Sequence, residues 1–144
     1  MKRLIVLLFI LIILSCGEKS QVLTFTNMIS FSPDPITEAT VDTVSVTCSY
    51  TLSFQEIRGK PLEIVYARES VIASATTISE AVFQEESLSQ LFTDLTILPG
   101  QEITLSRTTT FSNPAEGVVS ITWLITGVDP DGNFENFIGD TTCE

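Results

Sequence analysis

The chain has 144 residues, with 18 acids, seven Lys+Arg, no histidine and a formal charge of −11. That length suits one domain with a tether, and the acidity excludes a nucleic-acid binder, which needs a basic footprint. The lack of histidine removes the usual metal ligand and the usual general base at neutral pH. With 17% charged and 44% apolar residues, the chain is also unlike a disordered acidic tail.

Lys2 and Arg3 form a short positive start, and Leu4 to Leu14 is an unbroken run of eleven apolar residues. A membrane-spanning helix needs ~20 apolar residues, so this run is too short to cross. A positive start, a short apolar stretch and a small residue at its end make a secretory signal peptide. The ending Ile13-Leu14-Ser15-Cys16 resembles the bacterial lipobox, with an aliphatic residue three before the cysteine and a small one just before it. That resemblance implies a diacylglyceryl lipid on Cys16, cleavage before it and acylation of the new N-terminus. The implied division is residues 1–15 as signal peptide, 16–21 as lipidated tether and 22–144 as domain. Several acyl chains at ~0.8 kcal/mol per buried methylene anchor a protein stably. Gly17 stands where an Asp would favour retention in the inner membrane, so the resemblance implies the cell envelope and favours the outer membrane. The processed chain keeps all 18 acids and five cations, a formal charge of −13.

Ser and Thr supply 33 of the 129 residues from Cys16 onward, many alternating with β-branched or aromatic residues. That is the composition of strands with one wet face. Val22 to Phe31 reads as the first strand, ended by Pro33-Asp34-Pro35. Val44 to Phe54 has an apolar residue at every even position and Ser or Thr at every odd one, so it is a half-buried strand with Cys48 inward. Leu62–Ala67 follows the Gly59-Lys60-Pro61 turn as another strand. Val71 to Val82 is strand-like but weakly patterned. Glu85 to Phe92 reads as one or two helical turns, and Leu95 with Ile97 as a short strand.

Ile103, Leu105, Thr109 and Phe111 share a parity after the Pro99-Gly100 turn. Arg107 shares it too, which places it near an edge or against an acid. Val119, Ile121, Trp123 and Ile125 mark a second long strand. Asp129-Pro130-Asp131-Gly132-Asn133 is a hairpin turn, with Asp-Gly as its strongest cue. Phe134 to Ile138 is the return strand, and Cys143 follows it. Phe134 and Phe137 have opposite parity, so one of them faces out.

Seven to nine strands with turns every eight to twelve residues make an all-β, antiparallel two-sheet sandwich. The Ser32-Pro33-Asp34-Pro35 turn, the long cysteine strand, and Val118–Val128 running into Asp-Pro-Asp-Gly-Asn resemble an immunoglobulin-like or fibronectin-III-like domain. The cysteine placement departs from the antibody pattern, because Trp123 sits on the penultimate strand and Cys143 lies after the last one. A jelly roll or other sandwich stays open.

Setting Cys16 aside leaves Cys48 and Cys143 in a disulfide-permissive compartment. A bridge between them closes a long loop, worth ~4–5 kcal/mol by chain entropy. The alternative is an inert buried thiol at Cys48 and a free one in a frayed tail. Neither is expected to be catalytic, with no histidine to activate it.

Asp129, Asp131, Asn133 and Glu135 alternate around the hairpin like oxygen ligands of a calcium loop. Phe134 stands where an EF-hand needs glycine, so a tight turn is the simpler account. Trp123, Tyr50 and Tyr66 are candidates for stacking on sugars, but Trp123 and Tyr50 fall on inward faces. No catalytic residue and no cofactor beyond the covalent lipid is expected. The expected function is a non-enzymatic, lipid-anchored envelope module that binds a protein through loops or an open sheet edge. The Asp129–Asn133 hairpin and the Gln55–Pro61 loop are the expected accessible regions. The alternative is a carbohydrate-binding module, calcium-assisted.

Overall fold

The computed structural model describes residues 25–37, 40–41, 44–112 and 118–144. Cys16, the signal peptide and the tether lie outside the described residues. The strands are β1 (Phe25–Met28), β2 (Ser30–Ser32), β3 (Thr40–Val41), β4 (Ser45–Gln55), β5 (Leu62–Ala73), β6 (Thr76–Phe83), β7 (Thr96–Ile97), β8 (Glu102–Ser112), β9 (Val119–Val128) and β10 (Phe134–Cys143). One short helix, α1 (Glu86–Leu91), lies between β6 and β7.

They form two sheets, as the alternation predicts. One has the order β1-β10-β9-β5-β6, with β7 pairing the start of β5. The other is centred on β4, with β8 along one side and β2 and β3 sharing the other. Pairing between these strands is antiparallel except for β1, which runs parallel to β10, and an isolated bridge from Ile36 to Cys143 is also parallel. Trp123, Phe137, Leu52, Ile121 and Ile125 are fully buried between the sheets. Burial of large apolar side chains from both inner faces is what holds such layers together.

Three expected elements differ in detail. The first strand is not continuous: it leaves β10 at Met28, turns at Ile29 and joins β4 from Ser30. This switch passes tightly over β10 at Gly139. A Cβ there would lie 2.5 Å from the Ile29 carbonyl oxygen and 2.8 Å from its Cβ, so only glycine fits.

The weakly patterned stretch after Val71 is the end of one twelve-residue strand, a turn and β6. Its turn residues Ser74 and Ala75 have φ of 49° and 64°, a left-handed pair that usually calls for Asn or Gly. Val65 is an extra residue in β5 opposite β9, so the inward parity changes from Leu62 and Ile64 to Ala67, Glu69 and Val71.

The last strand runs past Ile138 to Cys143, so this cysteine belongs to the sheet rather than to a tail. Cys48 and Cys143 face each other from opposite sheets with their Cα atoms 6.3 Å apart and form a disulfide. That Cα separation is within the range the bond requires.

Candidate functional site

The Gln55–Pro61 loop and the Asp129–Asn133 hairpin, both expected to be accessible, come together at one end of the sandwich. Lys60 Nζ reaches Asp131 Oδ2 at 2.7 Å and Asp129 Oδ2 at 3.4 Å. Arg58 Nε lies 3.4 Å from Glu135 Oε2. The loop before β8 joins them, because Gln55 Nε2 donates to the Gly100 carbonyl at 2.7 Å and Gly100 N donates to the Glu56 carbonyl at 3.1 Å.

Glu56 is the hidden anchor of this end. It is fully buried, and its carboxylate accepts from the backbone N–H groups of Arg58, Gly59 and Gly100. A buried carboxylate needs such donors to offset its lost hydration. One acid therefore ties two loops together. The sequence offers no cue for it beyond the nearby turn glycine.

Asp129 plays the same part in the hairpin. Its Oδ1 accepts from Asp131 N at 2.9 Å and from Asn133 N at 2.8 Å. The Asn133 amide nitrogen donates to Oδ2 at 3.0 Å. The Asn133 side-chain and backbone donors, ahead of Lys60, hold the Asp129 carboxyl down at about 2. The Asp131 carboxylate, then Asp129, raises the Lys60 ammonium above its ordinary value.

The four residues considered for calcium thus face different ways. Asp129 is occupied by N–H donors, Asp131 takes Lys60, Asn133 presents its amide nitrogen, and Glu135 is buried and pairs with the more exposed Arg58. Among the described residues no group of three or more His, Cys, Asp or Glu is placed to hold a metal ion.

A second polar cluster lies inside the sandwich. Glu69 of β5 is buried and accepts from the Tyr50 and Thr109 hydroxyls and from Arg107 Nη2 at 3.3 Å. Trp123 Nε1 donates to the Tyr50 oxygen at 2.9 Å. The Arg107 guanidinium lies 5.2 Å from the centre of the Phe83 ring, which stacks on Trp123. Arg107 therefore sits on the edge strand β8 and also meets an acid, which covers both expectations for it. Its buried Nε has no hydrogen-bond partner, and the flat cation–π contact is the compensation the site offers. Burial first, then the Glu69 charge, pushes the Tyr50 phenol well above its ordinary value. The sequence missed Glu69 because the Val65 bulge turns it inward.

The sugar-stacking candidates divide. Trp123 and Tyr50 are core residues, while Tyr66 is half-buried. Of the two phenylalanines near the hairpin, Phe134 is the exposed one and Phe137 the buried one.

The outer face of the β4–β8 pair carries a ladder of hydroxyls. Thr47 meets Thr110 at 2.9 Å, Ser49 meets Thr108 at 3.1 Å, and Thr51 meets Ser106 at 3.2 Å. On the other side of β4, Ser30 meets Ser53 at 2.8 Å. A shallow depression of about 340 Å³ opens on this surface among Ser32, Ser49, Thr51, Ser106 and Thr108.

Two long edges share one flank. Among the described residues β8 pairs only with β4, and β6 only with β5. Neither contains proline or lysine. Ile78 and Val82 of β6 are exposed. A cleft of 380 Å³ lies between Ile78 and Ser79 of β6 and Thr110–Ser112 of β8. A second, of 260 Å³, runs beside Ile103 and Leu105 where Leu91 and Phe92 approach β8.

No protein-family model matches the chain. No curated protein matches it either. Among solved structures it is similar to a protein from Archaeoglobus fulgidus, with 8% sequence identity over 82% of this chain and 94% of that one, at a TM-score of 0.41.

Proposed function

We propose that the protein is a lipid-anchored, non-enzymatic module of the cell envelope, with an immunoglobulin-like sandwich that binds a protein partner by strand addition. One observation carries this reading: the flank where, among the described residues, the eleven-residue β8 and the eight-residue β6 end their sheets without a neighbouring strand. An unpaired edge offers a row of N–H and C=O groups to an incoming strand. Natural edges are usually guarded by lysine, proline or an inward charge. Here β8 keeps one such guard, the inward Arg107, whose charge Glu69 meets, while β6 carries no cation or proline. The clefts beside Ile78 and beside Ile103 and Leu105 would take alternate side chains of the added strand.

Site-specific photo-crosslinking in cells tests this. A benzophenone side chain at Val82 or at Thr104 should trap one partner of a single mass. The same probe at Asp140, on the outer face of β10, should trap none. Adducts at all three positions alike, or at none, would overturn the reading.

A second reading, glycan binding, is supported by the hydroxyl ladder on β4 and β8. Its array of donors and acceptors suits a polyol, although Tyr50, the aromatic among the described residues lining the depression, is buried and offers no stacking platform. A glycan array probed with Ser49→Val alongside the unchanged protein separates the two readings. Binding that Ser49→Val removes would favour the glycan.

A further inference from the structure

We propose that the loop end of the sandwich is its membrane face, with Ile57, Leu98 and Phe134 resting in the interface of a zwitterionic bilayer. The inference rests on the reading of Cys16 as lipidated, and it adds the orientation that this anchor imposes.

The direction of β1 decides which end meets the lipid. β1 is parallel to β10, and Phe25 is level with Asn136, two residues past the start of β10 at Phe134. The chain from Cys16 therefore enters the domain at the end that carries the Asp129–Asn133 hairpin. Nine residue steps separate Cys16 from Phe25, a reach of at most ~30 Å. The ten residues of β10 are themselves ~33 Å long. A tether starting at the loop end would be used up merely in running back along the domain. The far end, with the Ser74–Ala75 turn and Cys143, is thereby held off the bilayer.

The surface chemistry of this end agrees. Ile57 is 62% exposed, Leu98 58% and Phe134 46%. They come from the β4–β5 loop, the β7–β8 loop and the first residue of β10, which Glu56 and the Arg58–Glu135 pair hold together. Pro99 and Pro130 are exposed beside them, and a cleft of 280 Å³ opens between Pro61, Leu62, Val128 and Pro130. Aromatic and aliphatic side chains settle at the headgroup boundary in this way. The charges select the lipid. Glu56, Asp129, Asp131 and Glu135 outnumber Arg58 and Lys60 here, so an anionic surface would repel this end and a zwitterionic one would not.

The test uses tryptophan emission and phosphatidylcholine vesicles brominated high on their acyl chains. The full chain is made in cells and carries Phe134→Trp, Leu98→Trp or, at the far end, Val118→Trp. Its mass reports first whether Cys16 bears lipid. A chain without acyl groups would refute the anchor, and its Cys16 thiol can then be coupled to a maleimide phospholipid, so the orientation is still measured. Cys48 and Cys143, being bonded, do not compete for that coupling. Brominated vesicles should remove most of the added emission at positions 134 and 98 and leave that at 118 unchanged. Adding phosphatidylglycerol should weaken the quenching. Equal quenching at both ends, quenching at 118 alone, or none anywhere would overturn the proposed orientation.

Discussion

Tyr50 stands between an indole donor and a buried carboxylate, and this position makes it a reporter of the core. Its phenol is raised above the ordinary value of 10.0 by burial and by Glu69. The sign follows from linkage: the neutral phenol is favoured by folding, so its contribution is whole below pH 10 and is lost as the pH climbs beyond it. Alkaline titration of stability should show a fall in the native protein that Tyr50→Phe flattens. An unchanged alkaline slope in Tyr50→Phe would refute the assignment. The same substitution should cost about 1–3 kcal/mol near neutrality, because Glu69 loses a donor and Trp123 an acceptor.

Asp129 has the opposite sign. Folding lowers its carboxyl from 3.8 to about 2, so what it adds to the hairpin is complete above pH 4 and fades as the pH falls through 2. Protection of the Asn133 amide, taken relative to its intrinsic exchange rate at each pH, should fall over that interval, and Asp129→Ala should show little protection at neutral pH. The Asp-Gly turn made this acid legible from the sequence. Glu56 and Glu69 were not legible, because their burial depends on a loop contact and on a bulge that leave no periodic trace.

Among the elements, the long regular strands were the easiest to read. β4 alternates without a break, and its even positions from Val46 to Phe54 are buried as expected. β9 has one well-buried face through Val119, Ile121, Trp123 and Ile125. The irregular joints were harder. The Ser74–Ala75 turn lacks the Asn or Gly that signals its type, and the Val65 bulge shifts the parity of everything after it. The division of the first strand at Ile29 is invisible locally, since nothing near Ile29 records the glycine 110 positions later that makes room for it. Gly139→Ala should therefore be costly despite its small size. Its methyl would meet backbone as well as side chain, and overpacking of that kind costs about 1–3 kcal/mol. A denaturation midpoint equal to the native one would show that the β1–β2 joint yields.

Over the whole molecule, the disulfide joins the two sheets at the end far from the hairpin. The Cys48–Cys143 bond spans 95 residues of sequence. Its loss by Cys48→Ser should cost ~4–5 kcal/mol through the entropy of the unfolded chain, read as an earlier urea midpoint. Alkylation of native, unreduced protein should label neither Cys48 nor Cys143, and labelling of both would refute the bridge. The pair could be singled out in the sequence by elimination, but not its geometry. That depended on β10 continuing to Cys143, beyond the stretch of clear apolar alternation.

The parallel pairing of β1 with β10 also has a mechanical side. Tension arriving from the N-terminus enters at Phe25 and acts along β1, away from the sandwich. β10 cannot slide after it, being laced to β9 over its whole length and bonded through Cys143 to the opposite sheet. The strain therefore runs down the ladder in shear, where the hydrogen bonds share the load rather than opening in turn. A pull on anything held by β6 reaches the tether through β5, β9 and this clamp.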